Sequence, residues 1–377
     1  METTKPKLSG FPGNISAAGP CSTDAELRAI GRARMLFSLI RPAIHALDPE
    51  RAHRFSIEAL KLAPLPHSRH SDASLSVKVA GIRFPNPVGV AAGYDKDAEV
   101  PDALLGLGFG FVEVGSITPR PQEGNPKPRL FRLSRDRAVI NRMGFNNAGA
   151  DVAERRLRAR AAKGGVIGIN VGANKDSDDR IADYATMVRR MAPYASYLTA
   201  NISSPNTPGL RALQDEGALT GLLDAVMEAP GADGPPVFLK VAPDLEPADV
   251  DAIARIAIDK GLGALIVSNT TIFRPDLQSR DRDETGGLSG APLKPLALQR
   301  LRDFRSATGG AIPLVGVGGI ATIDDAWERI RAGASLVQVY SAMVYEGPGL
   351  GRSIARGLSR KLREHGMASI EEAVGSE

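Results

Sequence analysis

The chain has a single cysteine, Cys21, in 377 residues. That excludes a disulfide framework and a cysteine metal site, and a reducing compartment is expected. Histidine is nearly as scarce: His45, His53, His67, His70 and His365, with none between residues 71 and 364. The main domain therefore lacks the material for a Ser-His-Asp triad, a zinc centre or a histidine base, and no metal is expected. The four N-terminal histidines read as solvated or capping groups. No apolar run approaches the length of a transmembrane helix, and residues 1–20 lack the apolar core of a signal peptide. The net charge of +4 is far from a nucleic-acid footprint, so no nucleic-acid partner is expected.

What is present is ample core material. Hydrophobic residues make up 43% and charged residues 24%, enough for two domains or one large barrel. Residues 1–27 are rich in Gly, Pro, Ser and Thr without periodicity, and read as a flexible tail. Met35, Leu36, Leu39, Ile40, Ala43, Ile44 and Leu47 then fall on one helical face. Asp48-Pro49-Glu50 starts a second helix, with Asp as N-cap and Pro in the first position, and this helix stops near Pro64 and Pro66. Between Arg28 and His70 there are eight Lys/Arg against three Asp/Glu. Two short amphipathic helices with a basic flank suit a membrane surface, and equally a helical pair packed on the main domain.

From Val77 onward, short apolar runs alternate with helical segments. The strand candidates are Pro87–Ala91, Gly110–Val114, Val166–Asn170, Leu198–Asn201, Val237–Val241, Ala264–Ser268, Pro313–Val315 and Leu336–Tyr340. Helices are expected over Asp151–Lys163, Ile181–Ala192, Leu213–Ala229, Pro247–Lys260, Pro295–Ala307, Ile323–Ala332 and Leu350–Glu364. Eight alternations over roughly 290 residues fit an α/β fold, a TIM (β/α)8 barrel with a small N-terminal two-helix extension. A doubly wound sheet is the alternative, but it would want Gly-x-Gly-x-x-Gly after the first strand, where the chain reads Ala91-Ala92-Gly93-Tyr94-Asp95-Lys96. The divisions are a tail (1–33), a helical pair (34–66), a barrel (67–366) and a C-terminal tail (367–377).

In a TIM barrel the site lies at the carboxyl ends of the strands. Those ends are chemically rich here. The fourth runs into Asn201-Ile202-Ser203-Ser204-Pro205-Asn206-Thr207-Pro208-Gly209-Leu210, a rigid turn crowded with amides and hydroxyls, suited to a planar heterocycle or to capping its own backbone. Lys240 sits among Phe238, Leu239 and Val241, where a lysine is costly unless it meets an anion or an electron-rich group. Gly316-Val317-Gly318-Gly319, with Thr322 and Asp325 spaced as a capping box, suits an anion, and loops after strands seven and eight are the usual phosphate site of this fold.

These stretches, with Asn141-Arg142-Met143-Gly144-Phe145-Asn146-Asn147, Asn269-Thr270-Thr271, Thr285-Gly286-Gly287-Leu288-Ser289-Gly290 and Gly333-Ala334-Ser335-Leu336-Val337-Gln338, resemble the quinone-dependent (class 2) dihydroorotate dehydrogenases across about residues 35–365. The resemblance implies oxidation of dihydroorotate to orotate in pyrimidine synthesis, with FMN as cofactor and a membrane quinone as acceptor. It implies a peripheral protein, at the cytoplasmic face of a bacterial inner membrane.

It also implies roles. Ser204 is the base, with Thr207 and Phe145 shaping a proton path. Lys96 takes the substrate carboxylate, and Asn141, Arg142, Met143, Gly144, Phe145, Asn201, Asn206, Asn269 and Thr270 surround the substrate ring. Ala92, Gly93, Tyr94, Asp95, Lys96, Ser116, Asn170, Asn201, Lys240 and Ser268 line the flavin, and Gly290, Gly319, Tyr340 and Ser341 hold its phosphate. Ser116 and Ser268 stand where the family often has threonine, and Tyr94 where an apolar residue is usual, so a buried Tyr94 needs a hydroxyl partner. Class 1 relatives use a cysteine base, which Cys21 in the tail cannot supply. A flavin-free phosphate-binding barrel of the isomerase or lyase type and a non-catalytic membrane module are the rival readings.

Overall fold

The computed structural model describes residues 37–63, 72–207, 209–231 and 233–377. Cys21, Met35, Leu36, His67, His70, Pro208 and the expected N-terminal tail lie outside them. Helix α1 covers residues 37–46 and α2 covers Pro49–Leu62. Asp48 caps α2 as expected, its Oδ1 accepting from the N–H of Glu50 at 3.1 Å and of Arg51 at 3.0 Å. An antiparallel hairpin, β1 (Val77–Val79) and β2 (Ile82–Phe84), comes next.

The barrel is closed, parallel and eight-stranded, in the order β3 (Val88–Val90), β4 (Phe111–Ile117), β7 (Val166–Val171), β8 (Tyr197–Asn201), β9 (Val237–Val241), β10 (Ala264–Val267), β12 (Leu314–Val317) and β13 (Ala334–Val339). All eight expected strands are present, Val237–Val241 with the expected bounds and the others with ends shifted by at most three residues. Helices α3 (Pro101–Gly106), α4 (Ala150–Arg160), α5 (Arg180–Met191), α6 (Glu216–Glu228), α7 (Pro247–Asp259), α8 (Lys294–Thr308), α9 (Ile323–Arg331), α10 (Ala342–Glu346) and α11 (Leu350–Glu364) alternate with them. The lower interior is aromatic. Phe84 meets Phe111 edge-on at 5.1 Å, and Tyr197 stacks on Phe238 at 4.3 Å. Gly168 makes room for this layer, because a Cβ there would fall 2.2 Å from Tyr197 Cζ.

Three features were not expected. Strands β5 (Leu130–Leu133), β6 (Ala138–Asn141) and β11 (Gly287–Gly290) form an antiparallel sheet above the barrel, with a small core of Phe131, Leu133, Ala138, Ile140, Leu277 and Leu288. Helix α3 fills the first crossover. The expected C-terminal tail carries α12 (Ile370–Ala373), whose Ile370 and Ala373 are fully buried.

His45 and His53 are ties rather than solvated groups. His53 Nε2 donates to the carbonyl of Tyr94 at 2.8 Å, and His45 Nε2 to that of Val344 at 3.1 Å. Glu50 pairs with the buried Arg129 at 2.7 Å, and Arg132 Nη1 reaches the His45 carbonyl at 2.9 Å. Burial pushes the His53 imidazole from 6.5 down to about 4. Between those values the unfolded chain binds a proton that the folded chain refuses, so the stability is whole above pH 6.5 and is lost as pH falls toward 4. The full effect is about 3 kcal/mol. The thermal midpoint is expected to fall over this window, and less steeply in His53→Gln. Identical slopes in calorimetry of the two proteins would remove His53 from the account.

Candidate active site

The strand ends surround a continuous cavity of about 440 Å³. Ala92, Gly93, Tyr94, Lys96, Ser116, Asn141, Met143, Gly144, Phe145, Asn201, Ser204, Asn206, Lys240, Ser268, Asn269, Thr270, Gly290, Gly319, Tyr340 and Ser341 all reach its wall. Phe37, Ile40, Ile44, Phe55, Ala59 and Leu60 of α1 and α2 line the same cavity at its other end.

Four expected site residues do not reach the wall, each for a physical reason. The Asp95 carboxylate turns inward and accepts from the N–H of Glu99 at 2.7 Å and of Val100 at 2.8 Å, where burial pushes its pKa up to about 6. Arg142 points outward, pairing with Glu284 at 2.6 Å and covering the Phe131 ring. Asn170 lies one layer below, bonded to Ser116 and, at 2.7 Å, to Glu113. Thr207 is buried with no partner for its hydroxyl.

A hydrogen-bonded chain joins the strand ends. Asn269 Nδ2 donates to Ser203 Oγ at 2.9 Å, and Ser203 Oγ to Asn201 Oδ1 at 2.8 Å. Asn201 Nδ2 donates to Ser116 Oγ at 3.0 Å and to Asn170 Oδ1 at 3.2 Å. Below, Glu113 accepts from Asn170, Gln338 and Tyr197. Neither Glu113 nor Gln338 was assigned a role from sequence. A lone polar residue within Phe111-Val112-Glu113-Val114 or Leu336-Val337-Gln338-Val339 was the available signal.

Two cations serve this wall. Burial pushes the Lys96 ammonium down to about 8, and its Nζ donates to the Gly93 carbonyl. Lys240 is 4% exposed, so it does not snorkel. Burial lowers its pKa, and the Glu113 carboxylate opposes that shift. The Ser204 turn is held by Arg211, which donates to the carbonyls of Ser203 at 3.1 Å and Thr270 at 3.0 Å and pairs with Asp244 at 2.9 Å. Ser204 Oγ accepts from the N–H of Asn206 at 3.2 Å, and Asn206 Nδ2 donates to Asn141 Oδ1 at 3.2 Å.

At the other side, Ser289 Oγ and Ser341 Oγ are 2.6 Å apart, and the Tyr340 hydroxyl donates to the Gly93 carbonyl at 3.1 Å. The Thr322–Asp325 capping box is formed in full at the start of α9. Gly318 and Gly319 precede it at φ 107° and 71°. Among the described residues no cluster of three His, Cys, Asp or Glu could hold a metal, and no helix is long and apolar enough to cross a membrane.

This geometry has known counterparts. The family model described as dihydroorotate dehydrogenase matches residues 74–362. The dihydroorotate dehydrogenase (quinone) of Novosphingobium aromaticivorans is 69% identical over 346 residues, covering 90% of this chain and 99% of the relative. That of Sphingopyxis alaskensis is 61% identical over 345 residues, covering 90% and 96%. The crystal structure of DHODH from Eimeria tenella in complex with ferulenol superposes with a TM-score of 0.84 at 40% identity, covering 88% of this chain and 98% of that one. The chain belongs to the dihydroorotate dehydrogenase family, among its quinone-dependent members.

Proposed function

We propose that the cavity works from both ends: dihydroorotate is oxidised at the barrel mouth with Ser204 as base, FMN lies across the strand ends, and a quinone enters between α1 and α2. The chain is a flavin oxidoreductase that converts dihydroorotate to orotate in pyrimidine synthesis, with quinone as acceptor. The observation that carries the two-ended reading is the shared wall, in which Ser204 and Asn206 bound the same space as Ile40 and Phe55.

The residues suit a flavin. The amide oxygen of Gln338, on the cavity wall, has no partner in the protein, and Lys240 brings a buried positive charge to the same wall. Gly290, Gly319, Tyr340 and Ser341 would hold the phosphate, with Ala92, Gly93, Ser116 and Ser268 along the ring and Asn170 behind it. When bound, FMN supplies the hydride acceptor and carries two electrons to the quinone.

Lys96 anchors the substrate carboxylate. Asn141, Asn201, Asn206, Asn269 and Thr270 read its carbonyl and N–H edges, and Met143, Gly144 and Phe145 close over it. Asn146, also on the wall with an unpartnered Oδ1, joins this set. Ser204 Oγ takes the C5 proton as the C6 hydride departs and the C5–C6 double bond forms. Serine is a poor base alone, and the free hydroxyl of Thr207, in the same turn, passes the proton on beside Phe145.

The helical pair supports the membrane reading. Leu62 is 85% exposed, Leu39 73% and Phe55 58%, more apolar surface than a mere seal requires. Its basic flank is partly compensated, since Arg54 and Lys61 both pair with Glu99. Apolar burial therefore outweighs charge in holding a peripheral protein to the cytoplasmic face of the inner membrane.

Three outcomes test this. Ser204→Ala is expected to slow flavin reduction by a factor of about 10²–10⁴ while FMN and orotate still bind. Stopped-flow reduction at the wild-type rate would refute the base. Lys96→Ala is expected to weaken orotate far more than FMN, and wild-type affinity for orotate should fall as pH rises through about 8, where Lys96 loses its proton. A titration flat across that range would place the carboxylate elsewhere. Ala59→Trp, at the apolar end, is expected to slow reoxidation by a long-chain quinone several-fold and to spare reduction by dihydroorotate. Unchanged reoxidation kinetics would move the quinone away from α2.

A further inference from the structure

The loop after β12 crosses the start of α8 in backbone contact, for a Cβ on Gly319 would fall 2.5 Å from Lys294 Cα. Behind this crossing stands Arg329 of α9, 1% exposed. Its stem lies along β12, where a Cβ on Gly316 would sit 3.5 Å from its own Cβ. Its Nη2 donates to the carbonyls of Gly318 and Lys294, each at 2.8 Å. Its Nε and Nη1 have no hydrogen-bond partner.

The nearby acids are engaged elsewhere. Asp325 and Glu328 lie 2.7 and 3.1 Å from Lys294 Nζ. Asp325 Oδ2 also accepts from the N–H groups of Ala321 and Thr322, both at 2.9 Å. Burial pushes the Arg329 guanidinium down only to about 10, so it remains charged at neutral pH. A buried cation without a bonded carboxylate is a burden on the fold. Core packing alone would be served as well by a methionine.

The peptide geometry suggests what the charge does. In a planar trans peptide the carbonyl and the following N–H point in opposite directions. With the Gly318 carbonyl drawn toward Arg329, the Gly319 N–H is turned away from it, and Gly319, Ile320 and Ala321 line the cavity together with Gly318. We propose that Arg329 is a positioning residue for the anionic end of the cofactor: it pins the Gly318–Gly319 peptide with its N–H toward the cavity and sets a buried cation, bonded to carbonyls and to no carboxylate, behind the loop that takes the phosphate. This rests on the reading of that loop as the phosphate site, and it concerns a residue that never touches the ligand.

The test compares two ligands that differ only in the phosphate. Full-length apoprotein, wild type, Arg329→Met and Arg329→Lys, is titrated with FMN and with riboflavin, following quenching of flavin fluorescence. Arg329→Met is expected to weaken FMN about tenfold or more and to leave riboflavin within about twofold, with Arg329→Lys in between. Unchanged FMN affinity overturns the proposal, and so does an equal loss of both ligands, which would mark damage to the core. If Arg329→Met does not fold, Arg329→Lys decides, and a wild-type ratio of the two affinities in that variant overturns the proposal. A wild-type protein that fails to prefer FMN over riboflavin would sink the phosphate-site reading itself.

Discussion

Glu113 stands in β4 with no exposed surface, and its two oxygens take hydrogen bonds from Asn170 at 2.7 Å, Gln338 at 2.7 Å and Tyr197 at 3.1 Å. The donors come from three other barrel strands. An ionised carboxylate accepts and never donates, so each partner must present hydrogen to it. Stripped of any one of them, a charge this deep would be poorly compensated. The barrel interior above the aromatic layer is therefore ordered by one acceptor. Lys240, on the opposite side of the barrel, feels the same carboxylate, which opposes the loss of its proton.

The direction of the amides follows from this. With Asn170 Nδ2 committed downward to Glu113, its Oδ1 faces up and accepts from Ser116 and Asn201. Asn201 then presents Oδ1 to Ser203, and the Ser203 backbone N–H, which can only donate, reaches that oxygen at 3.3 Å. The chain is thus fixed consistently from a carboxylate at one end and a main-chain donor at the other. Asn269, which bonds Ser203 Oγ, inherits its orientation from both. The cavity-facing amides are thus oriented by groups that lie behind them.

What could be read from sequence followed from pattern length. The barrel strands are near-continuous apolar runs, buried on both faces, and such runs stand out. Strands β5, β6 and β11 have four residues each, too short to stand out among the strand-end loops. At the site, residue type was legible and side-chain direction was not. Asp95 and Arg142 sit in motifs rich in ligand-facing groups, yet one caps backbone N–H groups and the other pairs with Glu284. Glu113 is the reverse case, a charged residue in an apolar run whose partners lie far off in sequence, while Arg329 hides among the ordinary surface charges of its helix.

Tyr94 shows how the two ends of the cavity are held together. Its burial demands a partner for the hydroxyl. The partner is Ser56 Oγ at 3.0 Å, on a helix outside the barrel. The Tyr94 carbonyl takes His53 from the same helix, and its ring meets His53 edge-on at 5.3 Å and Tyr340 at 6.0 Å. Tyr340 in turn bonds the carbonyl of Gly93, which also receives Lys96. The helix pair is tied elsewhere by Glu50 to Arg129 and by His45 to Val344, and Tyr94 adds the tie nearest the strand ends. Bonded through Tyr94 to the residues beside the polar end, α2 keeps the apolar end of the cavity in fixed register with the strand ends.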